Sequence, residues 1–372
     1  MKLKTIKSKM LGGLDAVKGA LAGKDALSPF RLMKVESFGS DSVILTAVND
    51  YMQITSCVFC EVEGEAAGVF DGRRLMALIG ALEEGTVSLS FDGVTAAKIS
   101  GGAAKYSLSA GEISAFATMT VVDDSDAATC SLSAGTLAEA LRKTAYSACQ
   151  ESHRAAICGV HFELNPEKGI EVVATDGRSL SHVSLNREVG GVAKEMTVSN
   201  AVVKELMRLL AKRTESDETL LVKTDGKTVV VTAGLWNLTA KLIDAKYPAW
   251  RQIADQAVAE TATFDRVSFL GELRRAVVAA SDMDNTVRLT FQNGTISFSA
   301  KDEFLSADSS IPAKYSGEKA VVYFNSQFLI RVLECVDDDS VSFGISPGKT
   351  VPLVIEVDGL PFRAVVMPLI GR

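Results

Sequence analysis

The sequence predicts an α+β fold made of three repeated domains, in each of which two helices pack on antiparallel sheets. Three observations support this prediction. One strand–helix–strand pattern occurs three times, equivalent residues are separated by nearly constant distances, and the 372-residue chain is longer than one hydrophobic core usually supports. Because 47% of the residues are hydrophobic, the chain can build large cores, and the composition excludes global disorder.

The first repeated element is a helix that follows a strand and a polar capping residue. Asp71, Ser199 and Asn325 occupy the capping position, and they are 128 and 126 residues apart. Side-chain oxygens at this position accept hydrogen bonds from the free amides of the first helical turn. We therefore expect a helix to begin directly after each of these residues.

A second helix lies in the other half of each repeat. Leu14, Leu141 and Leu273 hold equivalent places in it, 127 and 132 residues apart. Between the helices, segments such as 86–91 alternate apolar and polar residues, as half-buried strands do. We expect six helices, at residues 9–22, 73–82, 136–148, 201–213, 268–280 and 327–336.

The repeat pattern lapses near residues 121–129 and 253–263, where we expect the domain boundaries. The three predicted domains comprise residues 1–125, 126–255 and 256–372. Repeated supersecondary units usually bury their shared faces against neighbouring units. Three copies therefore predict an arc, a short stack or part of a closed oligomer.

Each repeat also contains a polar bend between two alternating segments. Asn49, Asp176 and Asp302 mark these bends, at separations of 127 and 126 residues. The pair Asp176-Gly177 is a strong hairpin signal, because glycine readily adopts the positive φ that the turn requires. We interpret Asp176 as a turn former in the first place. A hydrolase with a catalytic carboxylate at Asp176 or Asp302 is the alternative.

The common catalytic and nucleotide-binding motifs are absent from the sequence. It has no Walker A loop, HExxH zinc motif, GxSxG elbow or glycine-rich dinucleotide fingerprint. The three histidines, His153, His161 and His182, have no metal-ligand spacing. Cys57 and Cys60 form one CxxC pair, for which a structural zinc is the alternative to two strand cysteines. We predict a protein without catalytic residues, metal or cofactor.

The hydropathy of the chain predicts a cytoplasmic protein. No apolar segment reaches the roughly 18 to 20 residues that a membrane span requires. The first residues, MKLKTIKSKML, lack the long apolar centre of a secretory signal. We therefore expect no association with a membrane.

Charge is distributed unevenly along the chain. The formal net charge is −7, yet the six predicted helices hold 13 basic and 5 acidic residues, which leaves −15 for the rest. Basic helices can neutralise phosphates without reading bases, so their binding to nucleic acid is salt-dependent and independent of sequence. The pair Arg142-Lys143 recurs as Arg274-Arg275, which favours this function over the alternative of ordinary solvated helix faces.

Five segments carry a resemblance to a known family: AKYSLSA (104–110), CGVHFEL (158–164), VVATDGRSLSHVSL (172–185), AKLIDAKYPAW (240–250) and VVMP (365–368). Through them the chain resembles the bacterial sliding clamps, the β subunits of DNA polymerase III, along essentially its whole length. The resemblance implies DNA-clamp domains and two copies that close head to tail into a dimeric six-domain ring. Helices would line the hole, and the ring would encircle duplex DNA without sequence specificity and confer processivity on a polymerase.

The resemblance also implies partners and site residues. The implied partners are double-stranded DNA, a second copy of the chain, the DNA polymerase III catalytic subunit, the clamp loader and other proteins with clamp-binding motifs. The implied DNA contacts are Lys24, Arg73, Arg74, Arg142, Lys143, Lys204, Arg208, Arg274 and Arg275. The implied pocket for partner peptides comprises Ile157, Thr175, Gly177, Arg178, Leu180, Pro248, Ile253, Pro352, Val365, Val366, Met367, Pro368 and Leu369. The implied dimer interface includes Tyr106, Leu108 and Val278.

Three departures from the family leave the peptide preference of the pocket open. The family commonly has His-Arg after Asp-Gly, where this chain has Arg178-Ser179. It often has an aromatic pair where Ala155 and Ala156 precede Ile157, and the ending MPLIGR is longer than usual. A repeat scaffold that binds peptides without ring closure or DNA contact is a further alternative.

Overall fold

The computed structural model describes residues 1–22, 29–91, 95–120, 122–211, 218–255, 258–280, 285–345, 353–356 and 361–369. The chain forms two compact units. The first unit comprises Met1–Gly135, Glu188–Lys194 and Lys204–Leu242, and the second comprises Thr136–Arg187, Glu195–Val203 and Ile243–Arg372. The division of the sequence into three domains stays a prediction.

The six predicted helices are present, and the described residues contain one further short α-helix. The helices are α1 (Lys7–Val17), α2 (Gly72–Ala81), α3 (Ala134–Thr144), α4 (Asn200–Leu210), α5 (Arg251–Ala254), α6 (Arg266–Val277) and α7 (Ser326–Glu334). Leu14, Leu141 and Leu273 are each 0% exposed, so the repeated leucines are repeated core positions. The sequence does not predict the four-residue helix α5.

Two of the three predicted caps are confirmed. Asp71 accepts a hydrogen bond from the amide of Arg74 at 3.0 Å, and Asn325 accepts one from the amide of Gln327 at 2.9 Å. The prediction for Ser199 is wrong, because its hydroxyl oxygen is buried without a hydrogen-bond partner among the described residues.

The first unit contains two antiparallel sheets. The five-stranded sheet has the order β5 (Glu61–Glu63), β1 (Lys2–Ile6), β7 (Thr86–Phe91), β8 (Ala96–Gly101) and β9 (Ala104–Ser109). The nine-stranded sheet has the order β14 (Val189–Gly191), β10 (Ala128–Ser133), β16 (Thr219–Thr224), β17 (Thr228–Ala233), β18 (Trp236–Lys241), β4 (Met52–Phe59), β3 (Ser42–Val48), β2 (Leu32–Phe38) and β6 (Ala67–Asp71). Because β18 pairs with β4, strands from the first and second repeats share this sheet.

The second unit is built in the same way. Its eight-stranded sheet has the order β15 (Lys194–Ser199), β11 (Gly159–Asn165), β12 (Gly169–Thr175), β13 (Ser179–Leu185), β26 (Phe362–Val366), β25 (Leu353–Glu356), β24 (Ser340–Ile345) and β19 (Glu260–Asp265). Its four-stranded sheet has the order β22 (Ser306–Pro312), β21 (Thr295–Lys301), β20 (Thr286–Gln292) and β23 (Ala320–Asn325). The pairing of β13 with β26 joins strands from the second and third repeats.

The three predicted bends have the same hydrogen bonds. Asn49 accepts bonds from the amides two and three residues further on, at 2.9 and 3.0 Å. Asp176 does the same at 2.8 and 2.7 Å, and Asp302 at 2.7 and 2.6 Å. Gly177 follows Asp176 with a φ of 84°, in the left-handed region that favours glycine. The interpretation of Asp176 as a turn former is confirmed.

Candidate peptide pocket and basic helices

Strand pairing brings some of the predicted pocket residues together. The register of β13 and β26 places Leu180 opposite Val365, and these residues are 2% and 1% exposed. They belong to one hydrophobic cluster, which comprises Cys149, Ile157, Val173, Leu180, Tyr247, Trp250, Ala254, Val354 and Val365. The cluster therefore joins segments that lie far apart in the sequence, and it forms the floor of the candidate pocket.

The rim of the candidate pocket is more exposed than its floor. Met367 and Ile253 are 37% and 38% exposed, and Pro248 is also exposed. The amide of Met367 donates to the carbonyl of Arg178 at 2.8 Å, and that of Leu369 donates to the carbonyl of Tyr323 at 2.8 Å. The first bond fixes Met367 against the turn before β13, and the second fixes Leu369 against β23.

The other predicted pocket residues divide between the floor and the rim. Thr175 and Val366 are buried, Gly177 is exposed, and Pro368 is partly exposed. The Thr175 hydroxyl donates to the carbonyl of Ser179 at 2.6 Å and so closes the turn. Pro352 lies outside the described residues.

A partly buried carboxylate, Glu163, anchors the segment that carries Pro248 and Ile253. Glu163, on β11, accepts a bond from the Trp250 indole at 2.7 Å and two from the Arg251 guanidinium at 2.8 and 2.6 Å. Burial opposes ionisation of Glu163, but the hydrogen bonds from Arg251 and Trp250 outweigh it and hold the pKa of this carboxyl below its usual range. The sequence does not reveal this anchor, because its members are nearly 90 positions apart.

Two histidines support the same segment from β11 and β13. His161 stacks on Tyr247, with 4.2 Å between ring centroids. Its Nδ1 atom also forms a hydrogen bond with the Thr197 hydroxyl at 2.9 Å. Burial lowers the pKa of His161 to about 4, so the ring is neutral at neutral pH. His182 packs against Trp250 at 4.5 Å. Both rings therefore pack against aromatic side chains of this segment.

A polar cavity adjoins the pocket, and the sequence analysis missed it. The cavity has a volume of about 490 Å³ and is lined by Tyr146, Ala148, Cys149, Gln150, Glu151, Arg154, Asp176, Arg178 and Arg331. One guanidinium nitrogen of Arg154 donates to the carbonyl of Asp176 at 2.5 Å. Three arginines therefore border a space next to the apolar floor, and the space can accept the polar or acidic part of a bound peptide.

Some of the predicted DNA contacts are available at the surface. Arg74 is the clearest example, since its side chain is 71% exposed and its nearest carboxylate, on Asp71, lies 3.7 Å away. Lys204 is exposed on α4 and has no ion pair with a described residue. Arg274 and Arg275 are exposed near the end of α6, where they pair with Glu334 and Glu272.

Other predicted DNA contacts take part in structural interactions. Arg73 donates to the backbone carbonyls of Leu21 and Ala22, and Arg142 pairs with Glu139 and Asp337. Lys24 lies outside the described residues.

Lys143 also takes part in structural interactions, and its assignment as a DNA contact stays a prediction. This residue is 7% exposed, its ammonium pairs with Glu139 at 2.9 Å, and it lies 5.9 Å from the ring centroid of Phe362. A phosphate would have to draw the ammonium away from both neighbours. Lys143 is therefore a structural residue in this conformation.

Arg208 also has a structural role. Its guanidinium donates to the carbonyls of Asp15 and Ala16 at 3.0 and 3.1 Å, and it pairs with Glu205 at 2.6 Å. These carbonyls belong to the last turn of α1, where backbone acceptors lack partners within the helix. Arg208 thus fastens α1 to α4 within the first unit.

The predicted interface residues lie on or near open edges. Tyr106 and Leu108 belong to β9, the last strand of the five-stranded sheet. Tyr106 is partly exposed, whereas Leu108 is buried in the first unit. Val278, at the end of α6, is 74% exposed.

Solved structures with this fold are sliding clamps. A crystal structure of the DNA polymerase sliding clamp from Pseudomonas aeruginosa with ligand matches with a TM-score of 0.92 and 21% identity, and the match covers 99% of each chain. A putative DNA polymerase III β subunit from Eubacterium rectale matches with a TM-score of 0.90 and 18% identity over the whole of both chains. At this identity the likeness establishes the fold. The fold is that of the DNA sliding clamps.

Sequence relatives and family models identify the protein family. The beta sliding clamp of Synechococcus elongatus is 26% identical over 337 residues, which cover 89% of this chain and 88% of the relative. That of Vibrio cholerae is 23% identical and covers 99% of this chain and 100% of the relative. The central and C-terminal domains of the DNA polymerase III beta subunit match residues 131–249 and 252–370. The chain belongs to the family of bacterial DNA polymerase III β subunits.

Three further observations concern the described residues alone. None of their helices is long and apolar enough to cross a membrane. No group of three His, Cys, Asp or Glu side chains among them is placed to hold a metal ion. Cys57 is partly exposed and Cys60 is buried, and both are free thiols.

Proposed function

We propose that two copies of this chain close head to tail into a ring around duplex DNA and hold replication and repair proteins on it. The observation that carries this proposal is a pair of open sheet edges, β9 in the first unit and β22 in the second. An open edge exposes unpaired backbone donors and acceptors, and pairing with another chain satisfies them. Since the two edges differ, pairing β9 of one copy with β22 of the other produces a head-to-tail contact.

The hydrogen-bond pattern identifies the groups on the open edge of β9. The amide of Ala110 donates to the carbonyl of Thr95 at 2.9 Å, and donors alternate in direction along an antiparallel strand. The amide of Ser107 therefore points away from β8. Lys105 lies on the same edge and is exposed.

The edge of β22 has complementary groups. The amide of Ala313 donates to the carbonyl of Gly294 at 2.8 Å, so the amides of Asp308 and Ser310 point away from β21. Pro312 occupies a third outward position, where a missing amide breaks no bond within the sheet. The exposed carboxylate of Asp308 is opposite in charge to Lys105 of β9, which favours pairing between the two edges.

We assign DNA contact to the exposed cations Arg74, Lys204, Arg274 and Arg275. Exposed side chains that neutralise phosphates without base contacts bind DNA loosely and without sequence preference, which suits a ring that must slide. The role is mechanical tethering without catalysis. Chromosomal DNA and the polymerase then place the protein in the cytoplasm.

We assign partner binding to the pocket built on Leu180 and Val365. A small apolar floor with polar groups at its rim suits capture of a short peptide from the DNA polymerase III catalytic subunit, the clamp loader or another protein with a clamp-binding motif. A DnaN sliding clamp from Pseudomonas aeruginosa has been solved bound to griselimycin. Griselimycin is therefore a suitable probe for binding to this chain.

One pair of variants tests ring closure. Ser107→Pro removes an outward amide of β9 without removing a bond to β8, whereas Ser107→Ala keeps that amide. By sedimentation equilibrium and negative-stain imaging, we expect dimeric rings for the wild type and S107A, and folded monomers for S107P. A wild type that stays monomeric at every concentration would contradict the proposed closure of two copies into a ring. A dimeric S107P would show that β9 does not form the contact.

A further inference from the structure

Two cysteines lie side by side at the base of the pocket. The Cys158 thiol donates to the carbonyl of Glu151 at 3.0 Å, and the Cys149 thiol approaches the same oxygen at 3.9 Å. Both are free thiols, so the two sulfur atoms share one acceptor without being joined.

The backbone holds the two cysteines in this position. Asn200 donates from its side-chain amide to the carbonyl of Cys149 at 2.7 Å, and from its backbone amide to the carbonyl of Cys158 at 3.1 Å. The amide of Cys149 also donates to the carbonyl of Ile157 at 3.0 Å. These bonds hold the main chain at Cys149 beside that at 157–158, and a disulfide requires such proximity.

The segment between the cysteines carries pocket residues. Ile157 and Cys149 belong to the same hydrophobic cluster as Leu180 and Val365, and Cys158 packs against that cluster. Arg154, in the same segment, borders the polar cavity. A covalent bond between the sulfur atoms would shift this segment, because close-packed side chains transmit small displacements.

We propose that Cys149 and Cys158 form a reversible disulfide that weakens peptide binding at the pocket. The regulatory effect rests on the peptide-binding function proposed above, whereas disulfide formation does not. Disulfides of proteins in reducing compartments are usually transient and redox-sensing, and a thiol pair next to a binding site fits that class.

The oxidant is a low-molecular-weight disulfide. The Cys158 thiolate attacks it, forms a mixed disulfide and releases one small thiolate; the Cys149 thiolate then attacks the Cys158 sulfur and releases the second. Two protein thiols are oxidised by two electrons, and one small disulfide is reduced to two thiols. Burial, followed by the neighbouring Cys149 thiol, raises the pKa of Cys158. The thiolate fraction is therefore small, and we expect a reaction on the order of minutes to hours.

Trypsin makes the disulfide directly detectable. Cleavage after Lys143, Arg154 and Lys168 separates the cysteines into two peptides, 144–154 and 155–168, each with one cysteine. The full-length protein is equilibrated with oxidised and reduced glutathione, alkylated and digested without reduction. We expect one species that contains both peptides, and about tenfold weaker binding of griselimycin to the oxidised protein, equivalent to ~1.4 kcal/mol. Dithiothreitol should restore the affinity.

Two variants serve as controls. C158S should not form the joined peptide, and its griselimycin affinity should be the same before and after glutathione treatment, whereas C57S should respond fully. Phenylarsine oxide, which bridges adjacent thiols, should protect both cysteines of the reduced wild type from alkylation, and this measurement needs no variant.

Three outcomes would overturn the proposal. Absence of the joined peptide would show that no disulfide forms. A joined peptide with unchanged griselimycin affinity would remove the regulatory effect. If the reduced wild type does not bind griselimycin, the pocket function and its regulation are both wrong. The joined peptide would still show in that case whether the disulfide forms.

Discussion

The candidate pocket and the basic helices are built in different ways. The floor of the pocket consists of buried side chains in a fixed strand register, and Glu163 holds one of its walls with three hydrogen bonds. By contrast, Arg74 and Lys204 reach into solvent. Pre-organisation favours one bound geometry, whereas a sliding surface benefits from contacts that any phosphate can satisfy.

Two basic residues on the same helix also differ in their exposure and partners. On α4, Lys204 is exposed, but Arg208, one turn later, donates to the end of α1. Lys143 on α3 is likewise buried beside Glu139. A count of basic residues on helices therefore overstates the cations that can contact DNA, and each one has to be assigned by its partners.

The largest expected effect comes from Leu180→Ala. Leu180 is buried in the pocket cluster, so truncation should lower the free energy of unfolding by about 2–5 kcal/mol and abolish measurable griselimycin binding. Leu221→Ala is the matched control, because Leu221 lies on β16 and is 47% exposed. Urea denaturation and isothermal titration measure both quantities. If L180A bound griselimycin as the wild type does, the pocket assignment would be wrong.

The next largest effect is expected from Arg208→Ala. The variant loses bonds to two carbonyls of α1 and a partly buried ion pair, so the free energy of unfolding should fall by about 1.5–3 kcal/mol. The salt dependence of DNA binding should not change. Urea denaturation measures the loss of stability, and fluorescence anisotropy with a short duplex measures the salt dependence of DNA binding. A changed salt dependence at unchanged stability would instead place Arg208 on the DNA.

The sequence predicted the repeated elements better than the roles of single side chains. Helices and bends follow from local patterns that occur three times, and the repeated leucines, such as Leu141, are buried. The burial of Lys143 depends on Phe362, and the anchor at Glu163 depends on Arg251. Such partners lie far apart in the sequence, so no local pattern reveals them.

A smaller, pH-dependent effect is expected from Glu163→Gln. The pKa of Glu163 is depressed in the folded state, so its contribution to stability is present above the unfolded-state pKa of about 4.3 and is lost as pH falls through the folded-state pKa. E163Q should be less stable by about 1–2 kcal/mol between pH 6 and 8, since Gln keeps an acceptor for Trp250. Urea denaturation at pH 3 to 8 should show the difference from wild type shrinking below about pH 4. A constant difference would mean that Glu163 acts by packing alone.

The smallest effect on stability is expected from Lys204→Ala, and it separates the two kinds of surface most directly. Since Lys204 is exposed and has no ion pair with a described residue, its removal should change the free energy of unfolding by less than about 0.5 kcal/mol. If the ammonium neutralises one phosphate, the slope of log affinity against log salt should decrease in magnitude by about 0.9. Anisotropy titrations with one duplex at several salt concentrations measure this slope.

R208A is the matched control on the same helix. A smaller slope in K204A and an unchanged slope in R208A would show that exposure decides which cations contact DNA. A slope equal to that of the wild type in both variants would remove α4 from the DNA-binding surface.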